Sequence, residues 1–219
     1  MTHTLHRQGE VSSLQKDYVV MVMAGQKFND SGASEKLRRV IEILNKHKPV
    51  NLGGEGGGLY TGRSREDLLT HTTDKTYAEA VYTSKETLEK VLQELKQASL
   101  GMSVVVSGLI DEVFPLARKL GIQPHTVNMS LGVFGPEKLL PEKNILEITT
   151  MCGHDMVTHH CVEKAIKELA RGKKNSLEVA QDLARSCSCG VFNVRRAAHL
   201  IETIHVQREK QSGGKDARK

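Results

Sequence analysis

Apolar residues follow two different periods along this chain, and the change between them divides it. Continuous apolar runs in DYVVMVMAG and MSVVVSG predict buried strands at Tyr18 to Ala24 and Ser103 to Val106. Between them, SEKLRRVIEILNKHK places Leu37, Val40, Ile41 and Leu44 at helical spacing, with Ser34 available as a cap. SKETLEKVLQELKQAS does the same with Leu88, Val91, Leu92 and Leu95, and KTYAEAVYTS reads as a weaker strand. A strand feeding a helix is the opening of an α/β unit. Residues 1–150 are therefore expected to form an α/β domain, with a parallel or mixed sheet flanked by helices.

The second half of that region is less regular. IDEVFPLARKLG predicts a helix that Pro115 limits or bends. HTVNMSLGVFG alternates apolar and polar residues, as a strand or a strand running into a loop does. NILEITTMCG carries a further short apolar stretch into the first cysteine.

Beyond Thr150 the pattern turns helical. HDMVTHHCVEKAIKELARG, NSLEVAQDLARS and NVRRAAHLIETIHVQREK each have a helical face. Asn175 with Glu178, and Asn193, mark the starts of the last two. Residues 151–208 are read as a helical metal-binding lobe, and 209–219 as a disordered basic tail.

Composition narrows the functional classes. Aromatic residues make up 4% of the 219-residue chain and tryptophan is absent, so the core is aliphatic and stacking platforms for bases are lacking. The formal charge of +5 comes partly from the tail, which disfavours nucleic-acid binding as the main activity. No apolar run reaches the roughly 20 residues of a membrane helix, and MTHTLHRQGE lacks the pattern of a secretory signal. The expectation is a cytoplasmic protein without membrane association, in which close cysteines serve as metal ligands or redox groups rather than disulfides.

All four cysteines fall late: Cys152 and Cys161 in CGHDMVTHHC, and Cys187 and Cys189 in CSCG. Cys152 is expected at a helix start, where free amides favour thiolate, and the CSCG pair between two helices. Four thiolates hold an iron–sulfur cluster or tetrahedral zinc. The spacing matches neither the bacterial ferredoxin run nor paired Cys-x2-Cys modules, and a [4Fe–4S] cluster is favoured, with [2Fe–2S] and zinc as alternatives. Cys161 is the open question. As a fourth ligand it closes the centre; as a core residue it leaves Cys152, Cys187 and Cys189 holding a cluster with one open iron. His154 is a candidate ligand or proton carrier. For His159 and His160 a surface role is favoured, and for Arg195 and Arg196 solvated helix charge competes with neutralising an anion.

Other candidates lie outside the cysteine region. Six glycines between Gly53 and Gly62 form a loop that fits neither the phosphate-loop nor the dinucleotide fingerprint, although Arg63 and Arg65 beside it suit a carboxylate or phosphate. Gln26, Lys27 and Asn29 follow the first strand, and His125 and Asn128 belong to the same expected rim, where open α/β sheets bind ligands. His3, His6 and Arg7 form a polar start, either disordered or an arm that covers the site or joins a partner subunit. Together these residues suggest an iron–sulfur enzyme, an oxidoreductase or lyase of anaerobic character. It would act on a small anionic molecule, with Lys27 or His154 moving protons and a redox partner supplying electrons. A homo-oligomer is open. The competing reading is a non-catalytic regulatory or binding protein stabilised by zinc or a cluster.

Overall fold

The computed structural model describes residues 2–216, and the surroundings of side chains for residues 4–211. A short 3-10 turn at Thr2–His6 and helix α1 (Val11–Leu14) lead into β1 (Tyr18–Met23). Helix α2 (Ala33–Lys46), the hairpin β2 (Asn51–Gly54) and β3 (Gly57–Gly58), and α3 (Arg65–Thr70) follow. The sheet region is completed by β4 (Tyr77–Tyr82), α4 (Lys85–Ala98), β5 (Ser103–Ser107) and α5 (Ile110–Lys119), which continues through Pro115. The remaining helices are α6 (Lys143–Thr149), α7 (His159–Ala170), α8 (Ser176–Ala184) and α9 (Val194–Asp216).

The strand order is β3-β2-β4-β1-β5, and every hydrogen-bonded pair is antiparallel. This corrects the parallel or mixed sheet expected from the strand–helix alternation. The reason is a split of each β-α-β unit. Helix α2 joins β1 to β2, which run the same way, and β4 is inserted between them. Helix α4 joins β4 to β5, with β1 inserted between those. Strands β4 and β1 therefore each lie between the two strands of the other unit, which run the other way.

The sheet is covered on both faces, which explains why β1 is apolar without alternation. Tyr18, Val20 and Val22 of β1 and Ala78, Ala80 and Tyr82 of β4 share one core with Val40, Ile41 and Leu44 of α2 and Leu88, Val91, Leu92 and Leu95 of α4. The opposite face contributes Val19 and Val81 to a second core, built with the helices that follow residue 142. Three layers result: helices α2 and α4, the sheet, and the cysteine-bearing helices.

Side chains cap several of these helices. Ser84 caps α4, accepting from the Thr87 amide at 3.2 Å. Asn175 and Glu178 form a reciprocal box at α8, and Asn193 accepts from the Arg196 amide at 3.0 Å. Ser34 does not cap α2. The cap residue is Gly32, and Asp74 from outside the helix accepts the amides of Gly32 and Ser34. Helix α9 takes in residues 209–216 of the stretch read as a disordered tail, while 217–219 lie outside the described residues. No helix among the described residues is long and apolar enough to cross a membrane.

Candidate metal centre

Three of the four cysteines come together between the sheet and the helical layer. Cys152, Cys187 and Cys189 are buried. The Cys187 and Cys189 sulfurs stand 3.8 Å apart, and Cys152 is hydrogen-bonded to Cys187. His154 is exposed to solvent, and its Nδ1 lies 3.8 Å from Cys189 Sγ. Cys161 is elsewhere. It is exposed in the first turn of α7, beside Thr158, whose hydroxyl caps that helix. It is thus neither with the other thiols nor the buried core residue considered as its alternative role.

Cys152 also sits differently from expectation. It follows the C-terminal end of α6, its amide donating to Thr149 O at 3.1 Å. Helix α7 does not begin until His159, because Thr158 supplies the cap and Asp155 takes a left-handed turn at φ 56°. The expected amide donors are nevertheless present, supplied by the loop rather than a helix. The amides of His154 and Met156 bond the Cys152 sulfur, and the Val191 amide bonds Cys187 and Cys189.

Protonation is unevenly shared along this sulfur chain. Cys152 is held well above the usual thiol range by its hydrogen bond to Cys187 and by burial. Cys187 is pulled down by Cys152, but its bond to Cys189, burial and the Cys189 charge together raise it. Cys189 is lowered, chiefly by the hydrogen bond from Cys187. Cys189 is therefore the thiolate-favoured member.

The glycine-rich loop explains how the CSCG turn reaches the sheet. A Cβ on Gly53 would stand 2.5 Å from the Cys189 carbonyl oxygen and 2.9 Å from Gly190 Cα. Gly190 has φ 76°, and a Cβ there would stand 2.8 Å from Gly53 Cα. The two backbones lie in contact only because both residues lack a side chain. Asn51 fixes the approach from the side, its amide donating to Phe192 O at 3.1 Å.

Beside this contact lies Glu79, which the sequence reading did not single out. In the register, Glu79 is directly opposite Gly53, so its side chain shares the face on which Cys189 lies. It is 0% exposed, and among the described residues neither carboxyl oxygen has a hydrogen-bond partner. Burial pushes its carboxyl up to about 7, opposed by Arg7, and its charge in turn raises Cys189. Tyr77, two residues earlier on the same face, is pushed up to about 12 by burial, then by Glu79 and Cys189. The signal was available in YAEAVY: a carboxylate at the centre of an otherwise apolar strand.

Arg7 ties the cysteine loops together. Its guanidinium donates to Asp17, to Val191 O and, at 3.1 Å, to Met151 O. Met151 precedes Cys152, and Val191 follows the CSCG turn. Asp17 is shared with Arg196, 2.8 Å away, which also donates to Gln8 O and approaches Glu147. Arg196 is therefore a buried latch between the N-terminal segment and α9, whereas Arg195 is exposed. The polar start docks on its own chain. His6 is exposed, and the side chain of His3 lies outside the described residues.

The remaining candidates do not join the cysteines. Lys27, at φ 61°, donates its amide to Asp30, and Asn29 ties its turn to Gly25 and to Gly101 O. Gln26 is exposed in the same turn, as are His125 and Asn128 at the β5 end of the sheet. Arg63 bonds Gly56 O at 3.3 Å, and Arg65 is exposed in α3. His159 and His160 are both exposed, with ring centroids 3.9 Å apart. Among the described residues, no three His, Cys, Asp or Glu side chains already stand at metal-holding separations. No protein-family model, curated protein or solved structure matches the chain.

Proposed function

We propose that Cys152, Cys187 and Cys189 are the thiolate ligands of an iron–sulfur cluster, and that the protein is an enzyme acting on a small anionic molecule. The observation that carries this reading is the meeting of three buried sulfurs, each bonded by loop amides, beside a buried carboxyl that has no hydrogen-bond partner among the described residues. Backbone N–H groups aimed at sulfur stabilise thiolate and tune cluster potential. Beside a centre that its three thiolates leave net anionic, Glu79 stays the protonated acid that burial already favours, and among the described residues its oxygens have no hydrogen-bond partner.

With Cys161 exposed and apart, a cubane held by three cysteines has one iron without a cysteine ligand. Such an iron supplies Lewis-acid chemistry, which favours a lyase or hydratase over pure electron transfer. Within this reading the chain itself does three things. Arg7 holds the two cysteine loops in register. Gly53 and Gly190 bring the sulfurs onto the sheet. His154, beside Cys189 and open to solvent, carries protons between the centre and water.

A second reading is a zinc site of the Cys3His type, favoured by the position of His154 Nδ1 near Cys189. Anaerobic purification with iron, sulfide and zinc analysis, plus visible and spin-resonance spectra, separates the two. The cluster reading expects a brown protein with iron and sulfide. It also expects loss of the chromophore in Cys152→Ser, Cys187→Ser and Cys189→Ser, and retention in Cys161→Ser. Colourless protein with one zinc per chain supports the second reading. Metal-free protein after reconstitution, or loss of metal in the Cys161 variant, rejects the three-cysteine centre.

A further inference from the structure

The core between the sheet and helices α2 and α4 is closed at β1 but open towards β5. On the closed side Val22 and Val40 are 0% exposed and Leu92 is 4% exposed. Towards the edge strand, exposure rises to 39% at Val104 and 37% at Ile110. The gap is a cavity of about 520 Å³, walled among others by Val22, Leu92, Leu95, Val106, Val113 and Phe114. That volume falls within the roughly 300–1,000 Å³ of small-molecule sites, which are mostly apolar with a few polar groups. Its outer wall is the chain's own stretch 123–128. This stretch makes no hydrogen bond among the described residues, so the mouth can widen without breaking any pairing.

The charge at the cavity has one sign. Among the described residues no Asp or Glu lines it, whereas Lys96 and His125 do. Other lysines of the same layer are matched by carboxylates: Lys46 by Glu94, Lys85 by Glu112 and Lys119 by Glu89. Lys96 instead donates to Leu120 O at 2.6 Å and to Gly121 O at 3.3 Å, beyond the end of α5. It has no carboxylate partner among the described residues. Two carbonyls hold the ammonium in place without neutralising it, and they use two of its three donors.

We propose that this cavity binds a small carboxylic acid with a flexible apolar body, of the fatty-acid class. Its chain lies against Val106, Val113 and Phe114, and its carboxylate meets Lys96. The chain completes the core that β5 leaves open, and each buried methylene strengthens binding roughly four-fold. A cationic ligand would meet Lys96 with like charge, and a small polar anion would leave the apolar walls wet. The walls belong to the sheet face of α2 and α4, opposite the cysteines. The site therefore stands independently of the metal reading.

Calorimetric titration of the full chain with hexanoate, octanoate, decanoate and decanol, at neutral pH and below micelle formation, tests this. One saturable site per chain is expected, with affinity rising on the order of ten-fold for each added pair of methylenes. Lys96→Met is expected to weaken decanoate roughly two- to five-fold, as the loss of an exposed ion pair does, and to leave decanol unchanged. Val104→Trp, which fills the mouth from the edge strand, is expected to abolish binding of both with an unchanged far-ultraviolet circular dichroism spectrum. Absence of decanoate binding overturns the proposal, including where a second copy or another protein is found to occupy the cavity. Binding without saturation, binding that survives in folded Val104→Trp, or a Lys96→Met variant that treats decanoate and decanol alike overturns it equally.

Discussion

Replacing Glu79 with Gln should stabilise the metal-free protein at alkaline pH and leave it nearly unchanged in acid. The wild-type carboxyl is fully buried, with no hydrogen-bond partner among the described residues, and burial raises it from an ordinary 4.5 to about 7. An acid raised in the folded state holds its proton more tightly there than in the unfolded chain. Its folded form is therefore least penalised below 4.5, loses stability as pH rises from there to about 7, and stays penalised above. At about 1.36 kcal/mol per pH unit, the 2.5-unit span between 4.5 and 7 amounts to about 3 kcal/mol. Gln keeps the shape of the neutral acid and does not ionise. Urea unfolding of both proteins, reduced and stripped of metal, at pH 5 and pH 8.5 measures the difference. The stripped form is needed because a bound centre and its thiolates would change the charge beside the carboxyl. The variant should gain about 3 kcal/mol over wild type at pH 8.5 and far less at pH 5. Stability curves that run parallel across this range, or a variant less stable at pH 8.5, would refute the reasoning.

Two further substitutions probe the seating of the cysteine loops. Gly53→Ala drives a methyl group to 2.5 Å from the Cys189 carbonyl, where only backbone can move. It should cost on the order of 1–3 kcal/mol in urea unfolding and speed the reaction of the three buried thiols with a disulfide reagent; unaltered thiol kinetics would contradict the contact. Arg196→Ala leaves buried Asp17 with one cationic partner instead of two and strips a donor from Gln8 O. A loss of about 3–5 kcal/mol is expected, and a loss under about 1 kcal/mol would show that the latch is not needed.

Periodicity made much of the architecture legible. The apolar run of β1, and the helical faces containing Leu37 and Leu88, appear where the pattern placed them, because each buries one defined surface. Strand β5 forms where its run placed it, but at the sheet edge with Val104 exposed, not as the buried strand expected. Strand direction was hidden. A split β-α-β unit and an ordinary one present the same succession of strands and helices, and only long-range pairing tells them apart. Strand β4 looked weak because its inner positions are Ala78 and Ala80 and its other face carries Glu79, yet it is a central strand. The glycine-rich loop invited an anion. Its clearest structural use at Gly53 is contact between two backbones, which local composition does not distinguish from room for a ligand. Among the cysteines, proximity in sequence misled: Cys161 is nearer to Cys152 in the chain than the CSCG pair is, but the cap at Thr158 turns it outward.

The seat made by Gly53 and Gly190 also orders events in time. Asn51, Gly53 and Glu79 leave the ribosome well before Cys152, Cys187 and Cys189, and Arg7 leaves before them all. Domains acquire structure from the N-terminal side during synthesis. The sulfurs thus arrive last, onto a floor whose residues are already made. A nascent chain that stops short of Gly190 has the floor and the Arg7 clamp but lacks the turn that they receive. Metal acquisition at these cysteines would then follow the making of the sheet on which they sit.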